Sequence, residues 1–142
     1  PLKHFPWSQR LRQGAGQLFA PTPARVTIDD DVLPMTHFTG IHIGSIPINL
    51  GGVFRFFSQA DEQGRLHAIV GSPSPMRLVW NLPRMYTGKT IRGHNIVDRP
   101  CHSMTVEATT DELLAPVVDG ECYHGFSKVF IHPGPPIRIP LV

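Results

Sequence analysis

The segment Cys101-His102-Ser103-Met104-Thr105-Val106-Glu107-Ala108-Thr109-Thr110 carries the cleanest alternation in the chain. Met104, Val106 and Ala108 fall on one side of an extended backbone, and Ser103, Thr105, Glu107 and Thr109 on the other. A period of two marks a strand with one buried and one solvated face, because successive side chains leave a pleated backbone on opposite sides. Segments of the same kind lie on both sides of it. Arg25-Val26-Thr27-Ile28 alternates, and Asp29-Asp30-Asp31 then turns the chain into Val32-Leu33-Pro34, as in a hairpin. Thr36 to Gly44, Val53 to Phe57 and Leu66 to Val70 are rich in β-branched, aromatic or aliphatic residues. Leu113 to Val118, Phe126 to His132 and Ile137 to Leu141 complete the set. Fifteen Pro and thirteen Gly break the chain into short pieces. The expected fold is mainly β: a β-sandwich or a rolled antiparallel sheet with one or two short accessory helices.

Two segments depart from this pattern. Trp7, Leu11, Ala15 and Leu18 have the spacing of one helical stripe between Phe5 and Phe19, with Ser8 as its cap. Ala20-Pro21-Thr22-Pro23 then reads as a linker. Residues 1–23 are therefore expected to form a helix and linker, and residues 24–142 a β-rich domain. After Ser72-Pro73-Ser74-Pro75, the residues Met76, Val79, Trp80, Leu82 and Met85 fit a short helix limited by Pro83. Its Met and Trp side chains are expected to pack in the core.

Composition excludes several classes. The chain has 142 residues, of which 41% are hydrophobic and 17% charged, so it is neither a disordered tail nor a membrane-embedded chain. The formal net charge of +2 is spread without any basic run, which argues against a nucleic-acid partner. No apolar run of membrane-spanning length and no signal-peptide pattern occurs, so a cytoplasmic chain is expected. The first residue is Pro rather than Met, as in a fragment or a processed product. Cys101 and Cys122 sit beside His102 and His124, but their spacing matches no closed zinc motif. A disulfide between them stays open at this level. The other histidines (His4, His37, His42, His67, His94 and His132) are expected at the surface or in loops.

The chemistry-bearing stretch is Val117-Val118-Asp119-Gly120-Glu121. Asp-Gly after an apolar run is a turn signal, since Gly accepts φ > 0 without steric cost. Asp119 and Glu121 are alternate residues and can face one side of an extended chain. Two carboxylates there can bind a hydrated Mg²⁺, orient a nucleophile or accept a proton. On these residues alone the reading favoured is two solvated acids on a surface hairpin.

Taken in order, these pieces resemble the C-terminal domain of the diacylglycerol kinase and sphingosine kinase superfamily of soluble lipid kinases. Arg25-Val26-Thr27-Ile28-Asp29 is similar to the family's first strand and acidic turn. Ile43-Gly44-Ser45 followed by Leu50-Gly51-Gly52-Val53-Phe54 resembles its Gly-Asn strand end and Gly-Gly pair. Ala60-Asp61-Glu62-Gln63-Gly64-Arg65-Leu66-His67 resembles its acidic loop, and Tyr86-Thr87-Gly88-Lys89 follows a helix as in the family. Val118-Asp119-Gly120-Glu121 stands where the family has Asp-Gly-Glu, and Ile137-Arg138-Ile139-Pro140 resembles the closing strand. There are departures. Ser45 replaces a frequent Asn, Gln63 an Asp of the acidic loop, and His67 the Asp after Leu, so a metal in the loop near Asp61 is not expected. The Gly-Gly-Asp-Gly-Thr phosphate loop of the family's N-terminal domain does not occur in this chain.

The resemblance implies the substrate-side domain of an ATP-dependent kinase acting on a lipid hydroxyl such as that of diacylglycerol or a sphingoid base, inactive as an isolated piece. It assigns Asp119 to orienting or deprotonating the hydroxyl and Glu121 to holding Mg²⁺, with ATP bound mainly by an N-terminal nucleotide-binding domain. Apolar candidates for the lipid are Ile43, Ile46, Ile48, Val53 and Phe54, with Ile41 beside them, in a slot between sheets. Basic residues between Arg84 and Arg99 offer peripheral contact with anionic headgroups. Open strand edges leave oligomerisation open as well. Two other readings compete: a non-catalytic lipid- or ligand-binding β-domain, and an interaction β-sandwich in which the Asp-Gly-Glu is coincidental.

Overall fold

A computed structural model describes residues 20–60 and 64–135 of the chain. The expected N-terminal helix, the polar turn at 61–63 and the last expected strand lie outside the described residues. Twelve strands and one helix follow in order: β1 (Thr22–Ile28), β2 (Asp31–Val32), β3 (His37–Phe38), β4 (Gly40–Gly44), β5 (Ile48–Leu50), β6 (Phe54–Phe56), β7 (Leu66–Gly71), α1 (Pro75–Tyr86), β8 (Ile96–Cys101), β9 (Met104–Ala108), β10 (Val117–Val118), β11 (Glu121–Cys122) and β12 (Lys128–Ile131). The expected mainly β class holds, with antiparallel pairing throughout.

Two sheets carry the core. One has the order β12-β9-β1-β2, with β3 also pairing to β1; the other has the order β4-β7-β8. The alternation at 103–109 emerges in β9 as expected. Its inward residues meet those of β1 in register, with Ile28 opposite Met104, Val26 opposite Val106 and Ala24 opposite Ala108. In β12, Val129 and Ile131 extend the same two rows. From the second sheet, Leu66, Ala68, Val70 and Cys101 join one continuous cluster with Phe38, Leu33 and Leu114. Each large aliphatic side chain buried this way contributes about 1.5–3 kcal/mol.

The two sheets are joined at a corner. His102 and Ser103 carry the chain from β8 into β9, and both of their N–H groups donate to Asp29 Oδ1, at 2.8 and 3.0 Å. Asp29 sits in the β1–β2 turn with φ of 48°, so the acidic turn read from sequence fastens this corner. Arg99 of β8 adds a bond to Asp31 at 3.0 Å. On the solvent side of the first sheet, Glu107 pairs with Lys128 at 2.7 Å and approaches Arg25 at 3.9 Å across three strands. These pairs are exposed and add little stability.

Several expectations are corrected. Thr22 and Pro23, read as linker, pair with Phe38 and His37 as part of β1. The stretch 36–44 divides at Thr39 into two strands that belong to different sheets. Helix α1 continues past Pro83 to Tyr86. Pro83 is exposed near the helix end, where the carbonyl that loses its N–H partner is in the solvated part of the helix. The core role expected for the helix's Met and Trp side chains is overturned for Met76 and Trp80, which are exposed along with Val79 and Leu82; Met85 is half-buried, and the buried residue of the helix is Asn81. His67, expected near the surface, is buried because β7 is the central strand of its sheet and is covered on both faces.

Candidate functional site

Residues 114–126 form an arm off the sandwich. Leu114 is buried in the core and exchanges backbone bonds with Phe126, at 2.8 and 3.3 Å, which fixes the base. Pro116 accepts from the N–H of Tyr123 at 2.9 Å, and β10 pairs with β11 beyond it. Val118 lies opposite Glu121, so Asp119 and Gly120 are the two loop residues. Their φ angles are 50° and 86°. Positive φ at both central positions is the signature of a type I′ turn, whose twist suits a two-residue hairpin and for which Asp-Gly is a preferred sequence. The turn read from sequence is therefore present, and its chemistry is explained.

Asp119 and Glu121 are both exposed at the tip of this arm. The alternation used to place them on one side does not apply, because the chain reverses between them. The turn leaves both at the tip of the arm. Glu121 Oε2 accepts a hydrogen bond from the Tyr123 hydroxyl at 2.9 Å, which restrains one of the two acids. Mg²⁺ is commonly held by one or two carboxylates together with waters and substrate phosphates, so a two-acid tip suits it without a protein cage. Among the described residues, no group of three or more His, Cys, Asp or Glu is placed to hold a metal. The arm also exposes Val117, Val118, Tyr123 and Phe126, and Leu113 is exposed just before it.

The expected lipid residues do not line a slot between the sheets. Ile43 is on β4 and packs against the core. Ile48 and Phe54 belong to the β5–β6 ribbon, while Ile46 and Val53 flank its strands. Ile46, Ile48 and Val53 are exposed, and Phe54 is half-buried. The ribbon turns through Gly51 and Gly52, with φ of 60° and 70°. Gly44 has a separate reason: a Cβ there would meet the Phe57 ring, so the close approach of that ring requires glycine. Of the basic residues between 84 and 99, Arg99 is engaged with Asp31 and the Ile28 carbonyl, whereas Lys89, Arg92 and His94 are exposed.

One polar cluster escaped the sequence reading. His67 Nε2 lies 2.5 Å from Asp98 Oδ1, and both side chains are only 3% exposed. The Gln59 N–H approaches His67 Nδ1 at 3.3 Å. With Nδ1 accepting, Nε2 carries the proton and donates to the carboxylate. Asp98 Oδ2 accepts from the Ile91 N–H at 2.6 Å, and the Phe57 ring stands edge-on to the imidazole at a centroid distance of 6.0 Å. The pair ties the loop before β7, through Gln59, and the loop after α1, through Ile91, to the neighbouring strands β7 and β8. A histidine inside the otherwise apolar run Leu66-His67-Ala68-Ile69-Val70 was the available signal.

Cys101 and Cys122 are free thiols, the first buried and the second exposed. Burial raises the Cys101 pKa, and the Asp29 carboxylate pushes it the same way. No protein-family model matches the chain, and no curated protein matches it.

Proposed function

We propose that this chain is the substrate-side domain of an ATP-dependent lipid kinase, transferring the γ-phosphoryl group to a lipid hydroxyl such as that of diacylglycerol or a sphingoid base. The observation that carries the proposal is the arm at 114–126. It joins an exposed acidic tip to a ribbon of exposed apolar side chains. Such an arm fits a partner domain that covers its sides and receives its acids. In the proposed cleft, Asp119 orients the acceptor hydroxyl or takes its proton, and Glu121 shares Mg²⁺ with the nucleotide phosphates. Carboxylates suit both tasks, because phosphoryl transfer depends on positioning and charge neutralisation more than on covalent chemistry. ATP itself would be held by a nucleotide-binding domain carrying the phosphate loop that this sequence lacks. The collinear resemblance of the strands to the lipid-kinase family supports the same assignment.

The test is phosphoryl transfer by the protein that contains this domain together with a nucleotide-binding domain. With γ-labelled ATP and Mg²⁺, label is expected in the organic phase when diacylglycerol or a sphingoid base is supplied, and the chain alone is expected to be inactive. Label in none of the lipid alcohols would overturn the proposal. A non-catalytic lipid-binding domain is the second reading, favoured by Gln63 and by His67 standing where the family has acids. That reading predicts lipid binding without transfer.

A further inference from the structure

Helix α1 turns a broad apolar face to solvent. Its buried residue, Asn81, donates to the carbonyls of Arg77 and Arg92, at 2.8 and 3.0 Å, and accepts from the Arg92 N–H at 2.9 Å. Met76, Val79, Trp80 and Pro83 recur at helical spacing, so they form one stripe, and all four are exposed. Trp80 is 77% exposed, and Leu82 and Tyr86 widen the apolar side. Cations border it: Arg77 and Arg84 on the helix, then Lys89 and Arg92 in the loop that follows. Among the described residues no carboxylate pairs with any of these four, and the sequence has no acid from Gly64 to Val97. The C-terminal end of α1 adjoins the β5–β6 ribbon. Ser58 Oγ donates to the Gly88 carbonyl at 2.7 Å, and a Cβ on Gly88 would lie 3.3 Å from the Arg55 side chain. The ribbon adds exposed Ile46, Ile48, Leu50 and Val53.

We infer that α1 and the adjoining ribbon dock onto the surface of an anionic lipid bilayer. Interfacial helices lay apolar side chains at the acyl boundary and set basic residues among the headgroups. Trp and Tyr favour that depth, being apolar in body and polar at one edge. A shallow groove of about 430 Å³ is lined by Ser74, Met76, Arg77, Trp80, Asn81 and Arg92, so two arginines share it with the indole where headgroup phosphates would lie. Charge decides against the other occupants. A second copy of this face would bring its arginines against their own equivalents. Residues 1–19 carry Lys3, Arg10 and Arg12 and no acid, so they too meet like charge. The inference stands on α1 and the ribbon, not on the acidic arm, so either can fail without the other.

The test uses the whole chain with Trp7→Phe, which leaves Trp80 as the single indole of the two in the sequence. Vesicles of equimolar phosphatidylglycerol and phosphatidylcholine are compared with vesicles of pure phosphatidylcholine. The protein is expected to sediment with the anionic vesicles, and Trp80 emission to move to shorter wavelength. Arg77→Ala and Arg92→Ala are each expected to weaken partitioning about five-fold, the equivalent of about 1 kcal/mol per basic residue near a charged surface. Trp80→Ser is expected to weaken it further with an unchanged circular dichroism spectrum, because that side chain is exposed. Failure to sediment, or equal sedimentation with the neutral vesicles, overturns the inference. So does binding without a change in Trp80 emission, which places the contact on another face. A dimer formed without vesicles and abolished by Trp80→Ser overturns it in favour of a second copy.

Discussion

Replacing Asp98 by Ala probes the least expected feature of this domain. The Asp98 carboxylate accepts from His67 Nε2 at 2.5 Å and from the Ile91 N–H at 2.6 Å, and only 3% of each partner side chain reaches solvent. Its removal leaves two donors, the buried His67 ring N–H and the half-buried Ile91 N–H, without acceptors. Each orphaned group costs about 1–3 kcal/mol. A loss of about 4 kcal/mol follows, a large share of the 5–15 kcal/mol typical of a whole domain. With a urea slope of about 2 kcal/mol/M, the unfolding midpoint should fall by about 2 M. Asp98→Asn keeps the shape and one acceptor but turns an amide toward a donor, so about half that loss is expected. A His67→Ala, Asp98→Ala cycle should show coupling of about 1–3 kcal/mol. Urea titrations followed by far-ultraviolet circular dichroism read all three. A midpoint shift below about 0.5 M for Asp98→Ala, with an unchanged slope, would refute the claim that this pair ties the loops to β7 and β8.

The other expectations concern the core, the thiols and the sheet surface. Ile28→Ala removes a fully buried side chain from the β1–β9 row and should cost about 2–5 kcal/mol in the same titration. A thiol reagent at neutral pH should label exposed Cys122 quickly and Cys101 only on unfolding, since burial both shields the Cys101 thiol and raises its pKa. Glu107 titrates below the usual glutamate range, chiefly through its hydrogen bond from Lys128, then through the charges of Lys128 and Arg25. Its stabilising effect is therefore present above the ordinary glutamate pKa and is lost as pH falls through the lowered native value. Lys128→Ala should move the Glu107 titration, followed by NMR, upward toward the ordinary range.

Alternation and turn chemistry made the fold legible. The row Met104, Val106, Ala108 reads directly as an inward face, and Asp119-Gly120 as a tight turn, because each depends on local residue choice. Failures came where tertiary context overrode local pattern. The stripe of α1 has the spacing of a core-facing helix, but spacing cannot say whether a face turns inward or outward. Asn81 is buried instead, satisfied by backbone groups of Arg77 and Arg92. The split of 36–44 depends on which sheet each half joins, a long-range choice with no local signal. The two acids were found by their turn, although the one-sided extended geometry assumed for them does not exist. The His67–Asp98 pair joins residues 31 positions apart, a link that no local pattern could reveal.

The central claim is that the acidic tip of the arm serves phosphoryl transfer to a lipid hydroxyl. Its most direct test is the turnover of Asp119→Asn in a protein that joins this domain to a nucleotide-binding one, as the proposal requires. Asp119 lies in an exposed turn, so the variant should unfold at the wild-type midpoint. A positioned base is worth about 10²- to 10⁴-fold in rate, and a loss of that size in lipid phosphorylation is the expected result. Turnover equal to wild type, in a protein of unchanged stability, would contradict the claim.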